Sequence, residues 1–326
     1  MSVRAFWKAT KVENVEPPYD TIHLKVFYPA LTSDNQQTFS PAPADRAKAP
    51  FPIVIFFSGV NCNLSGYEWL ACKLASRGLI VVLFNWLAEN IPGSISLTPG
   101  VNLAAFSPQV YGDIPSSSAL PSLLSELEQL NTSGILAGLL DLQKIILGGH
   151  SAGGRVALEN ANSQFFSQVA AAFSYGGHTA APIQVGYEPN TILPLPNVAP
   201  TLSIAGTCDG VIANNSGMYG LDRWETPTTP VERTFREAIS REQGDSYLVL
   251  LEKANHFSVV DRLDPTLSVA ALDFPSTQPQ DEIRSLIAEV ISLFIELEVR
   301  QQSKASSQLK QLLENNNSLI ASFECK

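Results

Sequence analysis

The segment Gly149–Gly153, GHSAG, places a serine between small residues, directly after an apolar run and before a stretch that favours a helix. A sharp strand-to-helix turn of the pattern G-x-S-x-G lifts a serine hydroxyl clear of the sheet, where it can attack an electrophile. Side chains two residues before and after the serine would collide across such a turn, so glycine is needed at both positions. The pattern predicts that Ser151 is a nucleophile. The alternative is a glycine-rich turn that serves only packing.

A serine hydroxyl needs a base to take its proton, and the chain has only four histidines. His150 lies within the turn and would point away from the serine, and His23 lies in a predicted edge strand. His256 follows the last buried run, and sites in sheets of parallel strands open at the carboxyl ends of those strands. We therefore predict His256 as the base. His178, which follows an earlier run, is the alternative base and a predicted pocket residue.

The base needs an acid that holds it in the right tautomer. Asp209 follows the run TLSIAG and precedes His256, which is the chain order expected when the nucleophile stands on a strand-to-helix turn. Glu188, Asp245 and Asp261 are less well placed. We predict Asp209 as the acid, with a simple turn aspartate as the alternative.

A tetrahedral intermediate needs two backbone N–H donors. The residue after the nucleophile, Ala152, is predicted to supply one from the start of a helix. The other is expected from the loop after the first buried run, where Gly59 lets the chain turn closely. Val60 and Asn61 are both candidates, and Val60 is preferred. Asn61 is then expected to contact substrate.

The elements that must position these residues are visible as short apolar runs, each followed by turn residues. Runs of this length rich in Val and Ile are typical of strands buried on both faces of a parallel sheet. An alternating segment at 21–29 predicts an antiparallel strand at the N-terminal edge. The buried runs lie at 51–57, 79–84, 144–149, 169–175, 201–206 and 247–252.

Helical patterns alternate with these runs, which predicts a doubly wound α/β fold. The patterns lie at 67–78, 118–130, 134–140 and 282–300. We expect one domain at 1–302 and a C-terminal helical tail at 303–326.

Two longer segments, 85–117 and 210–245, interrupt the alternation of strands and helices. Loops of this length in a compact domain are usually functional, so both are predicted to be walls or lids over the site, with ordinary surface loops as the alternative. Their aromatic residues include Trp86 and Trp224, which we predict to contact substrate.

The composition limits the function further. Hydrophobic residues make up 45% and charged residues 16%, which indicates a globular chain with a large core. A net charge of −10 without a Lys/Arg cluster argues against nucleic acid as a partner. The four cysteines form no CxxC pair or zinc spacing, and no metal or organic cofactor is expected. No apolar run approaches the length of a membrane span, so the expectation is a cytoplasmic protein that contacts a membrane surface at most transiently.

From about Phe51 through His256, the chain resembles the α/β-hydrolases of the dienelactone hydrolase, PAF-acetylhydrolase and chlorophyllase branch. The segments that carry the resemblance are IVIFFSGVNCN, LASRGLIVVLFN, GGHSAGG, AGTCDGVI and ANHF. The second and third segments are most similar to chlorophyllases. The resemblance implies a serine esterase of a bulky lipophilic ester, here chlorophyll, which would give chlorophyllide and phytol.

Three positions depart from this family pattern. The chain has Ser58-Gly59 where relatives carry His-Gly, and Ala152 where plant chlorophyllases carry arginine. It has Ser151 where dienelactone hydrolases usually attack with cysteine. These departures leave open a lipase, thioesterase or polyester hydrolase with the same machinery. A non-catalytic binding protein on a hydrolase scaffold is the alternative from another class.

Overall fold

A computed structural model of the chain describes residues 2–31, 42–91, 93–240, 242–315 and 317–326. Positions 92, 241 and 316, which fall within the two predicted loops and the predicted tail, lie outside the described residues. The strands are β1 (Ser2–Lys11), β2 (Thr21–Ala30), β3 (Phe51–Phe57), β4 (Ile80–Ile91), β5 (Ser94–Leu97), β6 (Leu140–His150), β7 (Val169–Tyr175), β8 (Thr201–Gly206), β9 (Ser246–Leu251) and β10 (Ile320–Cys325). The helices are α1 (Glu68–Ser76), α2 (Leu120–Thr132), α3 (Ala152–Asn160), α4 (Gly210–Asn214), α5 (Thr229–Arg233), α6 (Gln280–Glu298) and α7 (Ser303–Glu314).

The sheet has the strand order β1-β2-β4-β3-β6-β7-β8-β9-β10, and β5 pairs with β4 outside this path. Strands β4, β3, β6, β7, β8 and β9 all run parallel to one another. Strands β1 and β2 are antiparallel at the N-terminal edge, and β10 is antiparallel at the other edge. The prediction of an α/β chain with a mostly parallel sheet and an antiparallel N-terminal edge is confirmed.

Helices cover both faces of the sheet, which explains why its central strands are apolar on both sides. In β3, Phe51, Ile53, Ile55 and Phe57 point into the core beneath α2 and α3. Val54 and Phe56 point into the second core, beneath α1 and α6. Because successive side chains of a strand point to opposite faces, a strand between two helical layers must be apolar at every position.

The helix predicted at 134–140 is wrong. The segment consists of turns between α2 and β6, and Gly134 and Gly138 both have positive φ values, 82° and 70°. A right-handed helix has negative φ throughout, so two such glycines end the helix and reverse the chain.

The predicted helical tail at 303–326 also needs correction. It begins with α7, but its end forms β10, which pairs with β9. Neither β10 nor β1 was predicted, because the side chains of both edge strands are mostly exposed and give no alternating pattern of burial.

Within the described ranges, no helix is both long enough and apolar enough to cross a membrane.

Candidate active site

Ser151 lies at the junction of β6 and α3, with φ 55° and ψ −125°. This is a conformation that residues other than glycine rarely adopt. A Cβ on Gly149 would lie 2.2 Å from the carbonyl oxygen of Gly153, and a Cβ on Gly153 would lie 2.2 Å from that of Phe57. Both distances are far below van der Waals contact. The two glycines therefore allow three backbone segments to meet beneath the serine.

Asp209 and His256 form a buried pair beyond the ends of β8 and β9. Asp209 is the N-cap of α4, and its Oδ1 accepts a hydrogen bond from Ile212 N at 2.8 Å. Its Oδ2 lies 2.7 Å from His256 Nδ1. Because a carboxylate accepts this bond, Nδ1 carries the proton and Nε2 remains the basic nitrogen. Asp209 is fully buried, and His256 is only 3% exposed.

The surroundings of His256 favour its protonated form. Burial by itself would lower the pKa of His256. The charge of Asp209, its hydrogen bond to the ring and the charge of Asp273 outweigh burial, so the pKa lies above the ordinary value of 6.5. An imidazole in this environment is suited to take a proton from a nearby hydroxyl.

His150, the residue before the serine, links three parts of the site. Tyr67 Oη accepts a hydrogen bond from Gly59 N at 3.3 Å and lies 2.8 Å from His150 Nδ1. His150 Nε2 lies 3.0 Å from the His256 carbonyl oxygen. A carbonyl oxygen only accepts, so Nε2 carries the proton and Nδ1 accepts from Tyr67.

This arrangement needs a neutral ring at His150, and burial together with the nearby His256 lowers the pKa of His150 well below 6.5. The loop after β3, the serine turn and the histidine loop are thus joined by one hydrogen-bonded chain.

The two candidate donors after β3 differ in what their N–H groups do. Asn61 N donates to Leu97 O at 2.8 Å, so this donor is already used. Among the described residues, no group accepts a hydrogen bond from Val60 N or from Ala152 N. Of the two candidate donors, Val60 is therefore the one whose N–H has no acceptor among the described residues.

His178 and Trp224 belong to a row of aromatic rings beside the buried pair. The edge of the His178 ring contacts Tyr219 with centroids 5.2 Å apart, and Tyr219 contacts Trp224 at 5.5 Å. His178 Nδ1 accepts a hydrogen bond from Ala180 N at 3.3 Å, so Nε2 carries its proton. Burial, with the charges of Arg155 and His256, lowers the pKa of His178 to about 3. His178 is therefore a neutral donor and a poor base, which leaves His256 as the base candidate.

The contacts of Trp86 differ from the substrate contact predicted for it. The residue is 3% exposed, its indole Nε1 donates to Tyr19 O at 2.7 Å, and it pairs with Ile22 of β2. These are the contacts of a core residue. The prediction assumed that a loop begins at residue 85, whereas β4 continues to Ile91 and carries Trp86 within it.

Both long segments do contact residues of the site. In the first segment, the β4–β5 hairpin provides the carbonyl that binds Asn61 N, and Phe106 lies beneath the Arg155 guanidinium at 4.4 Å. In the second, Tyr219 contacts His178. They are in part regular structure, because the first contains β5 and the second contains α4 and α5.

Three residues near the site were missed in the sequence. Arg155 lies one helical turn after Ser151, a spacing that could have indicated it. Tyr67 and Asp273 have no local signal, because Tyr67 binds His150, 83 residues away, and Asp273 binds Gly210, 63 residues away.

A scan against models of known protein families finds no match for this chain, and a search among curated proteins finds no significant match. The function must therefore be argued from the geometry of the site.

Proposed function

We propose that this protein is a serine hydrolase that cleaves carboxylic esters of lipophilic substrates through an acyl-enzyme. One observation carries the proposal: the buried Asp209–His256 pair lies next to the turn of a serine held at positive φ, with the His256 ring 4.7 Å from the ring of His150, the residue before the serine. No group among the described residues binds His256 Nε2. A strained serine is retained where its hydroxyl has a task, because the conformation costs stability.

The α/β-hydrolase fold is part of this proposal. It is supported by the position of the serine between a central parallel strand and a helix, and by the order Ser151, Asp209, His256 along the chain. A further support is that the three residues follow the carboxyl ends of β6, β8 and β9. Because these strands are parallel, their carboxyl ends lie on the same side of the sheet.

In the first half of the proposed reaction, Ser151 Oγ attacks the carbonyl carbon of the ester. The hydroxyl proton passes to His256 Nε2, and Asp209 stabilises the resulting imidazolium. The N–H groups of Val60 and Ala152 hold the oxyanion. When the intermediate collapses, the bond to the alcohol oxygen breaks and His256 returns the proton to the leaving alcohol.

In the second half, His256 takes a proton from water, and the hydroxide attacks the acyl carbon. Collapse of this second intermediate releases the carboxylic acid and returns the proton to Ser151 Oγ. The same two N–H groups hold the oxyanion in both halves.

The preference for a lipophilic ester is supported by exposed apolar side chains on segments that carry or contact site residues. Val60, Leu87, Ile95 and Met218 are between 40% and 50% exposed. Val60 follows β3, Leu87 and Ile95 lie in the β4–β5 hairpin that binds Asn61 N, and Met218 precedes Tyr219, which contacts His178. Exposed apolar groups beside a site favour apolar ligands. Chlorophyll is the specific substrate that the resemblance to chlorophyllases suggests.

The experiment that tests the enzymatic proposal is covalent labelling by a fluorophosphonate probe. We expect the wild-type protein to be labelled and Ser151→Ala to be unlabelled. Ser133→Ala, at an exposed serine after α2, is the matched control and should label like the wild type. A folded wild-type protein that fails to react would refute the proposal in favour of a non-catalytic binding protein.

Substrate preference is then measured separately. Wild-type protein is incubated with chlorophyll in detergent and with p-nitrophenyl esters of increasing acyl length. Release of chlorophyllide supports the specific assignment. Hydrolysis of the p-nitrophenyl esters without release of chlorophyllide would contradict it and indicate a general lipase or esterase.

A further inference from the structure

A short segment after the histidine loop, Leu272–Ser276, packs against the loop that carries Asp209. We call this segment the strap. A Cβ on Gly210 would lie 2.2 Å from Phe274 N, so the strap backbone touches the first residue of α4. Asn214 Nδ2 donates to Leu272 O at 2.7 Å.

The strap is also bound to the loop that carries His256. Asn255 Nδ2 donates to Phe274 O at 2.8 Å, and Ser276 Oγ donates to Lys253 O at 2.9 Å. The strap therefore connects the acid loop after β8 with the base loop after β9.

At the centre of the strap, the Asp273 carboxylate binds both loops at once. Its Oδ1 accepts hydrogen bonds from Gly210 N at 2.8 Å and from His256 N at 3.2 Å. Phe274 N also donates to Oδ1, at 3.0 Å. Its Oδ2 accepts from Phe257 N at 3.2 Å. One side chain thus fixes the backbone of the base and of the residue that follows the acid.

The same carboxylate is a second negative charge beside the base. The charges that act on His256 come from Asp209 in the acid loop and Asp273 in the strap, and the histidines near it are His150 and His178. Both of these histidines are neutral in their surroundings, so the two aspartates provide the charge. Burial and the nearby Asp209 raise the pKa of Asp273, while its bonds to backbone N–H groups and the charge of His256 act in the opposite direction.

We propose that Asp273 is a positioning residue of this site, which holds the acid and base loops in register and adds a second negative charge to the surroundings of His256. The proposal rests on the proposed hydrolase reaction, in which His256 becomes positively charged in each half. A misplacement of the base by about 1 Å costs on the order of 100-fold in rate, so a residue that fixes its backbone contributes to catalysis without touching substrate.

The first test does not depend on activity. The pKa of His256 is measured by NMR titration of the imidazole signals in the wild type and in Asp273→Asn. Only four histidines are present, and His256→Asn identifies the signal by its loss. Removal of one negative charge should lower the pKa of His256. An unchanged pKa in a folded variant would overturn the charge part of the proposal, whether or not the wild type hydrolyses esters.

The second test is kinetic and uses a p-nitrophenyl ester with protein that the fluorophosphonate probe labels. In Asp273→Asn the amide nitrogen would face Phe257 N–H, donor against donor, so the base loop should shift. We expect kcat to fall by about 10- to 100-fold with KM little changed, and the acid limb of kcat/KM to move to lower pH. A folded variant with wild-type kcat would overturn the positioning role.

Two further variants complete the design. Asp264→Asn is the control, because the side chain of this exposed aspartate binds Thr266 within its own turn and no other residue in the described part of the chain. It should leave both readouts unchanged. Asp273→Glu keeps the charge but moves it by one methylene. It should lower kcat while leaving the acid limb of kcat/KM at the same pH. If Asp273→Asn does not fold, this variant tests the positioning role in its place. Wild-type kcat in Asp273→Glu would then refute the positioning role.

Discussion

Replacing Ser151, the proposed nucleophile, by glycine should make the protein more stable while it abolishes the proposed activity. Ser151 has φ 55° and ψ −125°, a conformation that costs a residue with a Cβ about 1–3 kcal/mol. Glycine adopts it without this strain but gives the unfolded chain more freedom, which costs about 0.5–1 kcal/mol. The difference between the midpoints of these ranges gives a net gain for Ser151→Gly of about 1 kcal/mol.

This gain corresponds to a small but measurable change in Tm. Unfolding entropy scales with chain length and is about 0.7 kcal/mol per kelvin for 326 residues. We expect the Tm of Ser151→Gly to exceed that of Ser151→Ala by about 1–3 K in calorimetry or circular dichroism. The alanine variant is the proper reference, since it removes the hydroxyl but keeps the Cβ that causes the strain.

A position without strain provides the control for this comparison. Ser133 has φ −149° and ψ 159°, which any residue adopts. At this position the glycine variant should have a lower Tm than the alanine variant, because no strain is relieved and the greater freedom of the unfolded glycine chain still disfavours folding. If Ser151→Gly does not melt above Ser151→Ala, the backbone at the serine stores no strain and the argument for a functional turn loses its physical basis.

Three further predictions concern the same site. Asp209→Asn should leave the protein folded but lower kcat by about 10³- to 10⁴-fold, since an amide no longer selects the Nδ1–H tautomer of His256. Steady-state kinetics, after a check of folding, would measure this loss, and a loss below tenfold would contradict the prediction. Gly153→Ala should prevent stable folding, because its Cβ would lie 2.2 Å from Phe57 O. The Cβ of Gly217→Ala meets nothing within 4 Å, so this control should change Tm little. Equal Tm values for the two variants would refute the close approach of Gly153 to Phe57. Activity should fall as pH drops through the raised pKa of His256, so the acid limb of kcat/KM should lie above pH 6.5; a limb well below 6.5 would exclude this base. The effect of His256 on stability has the opposite pH dependence. Because its pKa is raised in the folded state, its contribution to the free energy of unfolding is complete below the pKa of the unfolded state and is lost as pH rises through the pKa of the folded state.

The buried strands could be predicted because their environment is uniform. The run at 51–57 matches β3, since helices on both faces require apolar residues at every position. The edge strands β1 and β10 could not be predicted. Their stability comes from pairing with β2 and β9 rather than from burial, so their side chains show no pattern. The helix predicted at 134–140 was wrong for a related reason. Its apolar residues fit a helical pattern, and only the backbone conformation shows that its glycines reverse the chain.

The candidate site was predictable where the signal is local. Ser151 was indicated by the glycines around it, and Asp209 and His256 by their positions just after buried runs. Trp86 was wrongly expected to contact substrate, because nothing in the sequence shows that β4 continues past residue 85. Asp273 was missed because its partners, Gly210 and His256, are 63 and 17 residues away.

The sequence by itself determined the small residues of the serine turn and the order of the proposed nucleophile, acid and base, because backbone crowding and burial are encoded by residue type at each position. The tertiary structure decided which groups are free to act. Asn61 N is bound by Leu97 O, so Val60 keeps the available donor. His178 is held neutral, and Asp273 joins the acid and base loops. These outcomes depend on hydrogen bonds and charges between segments far apart in the chain, and such contacts exist only once the loops have packed together.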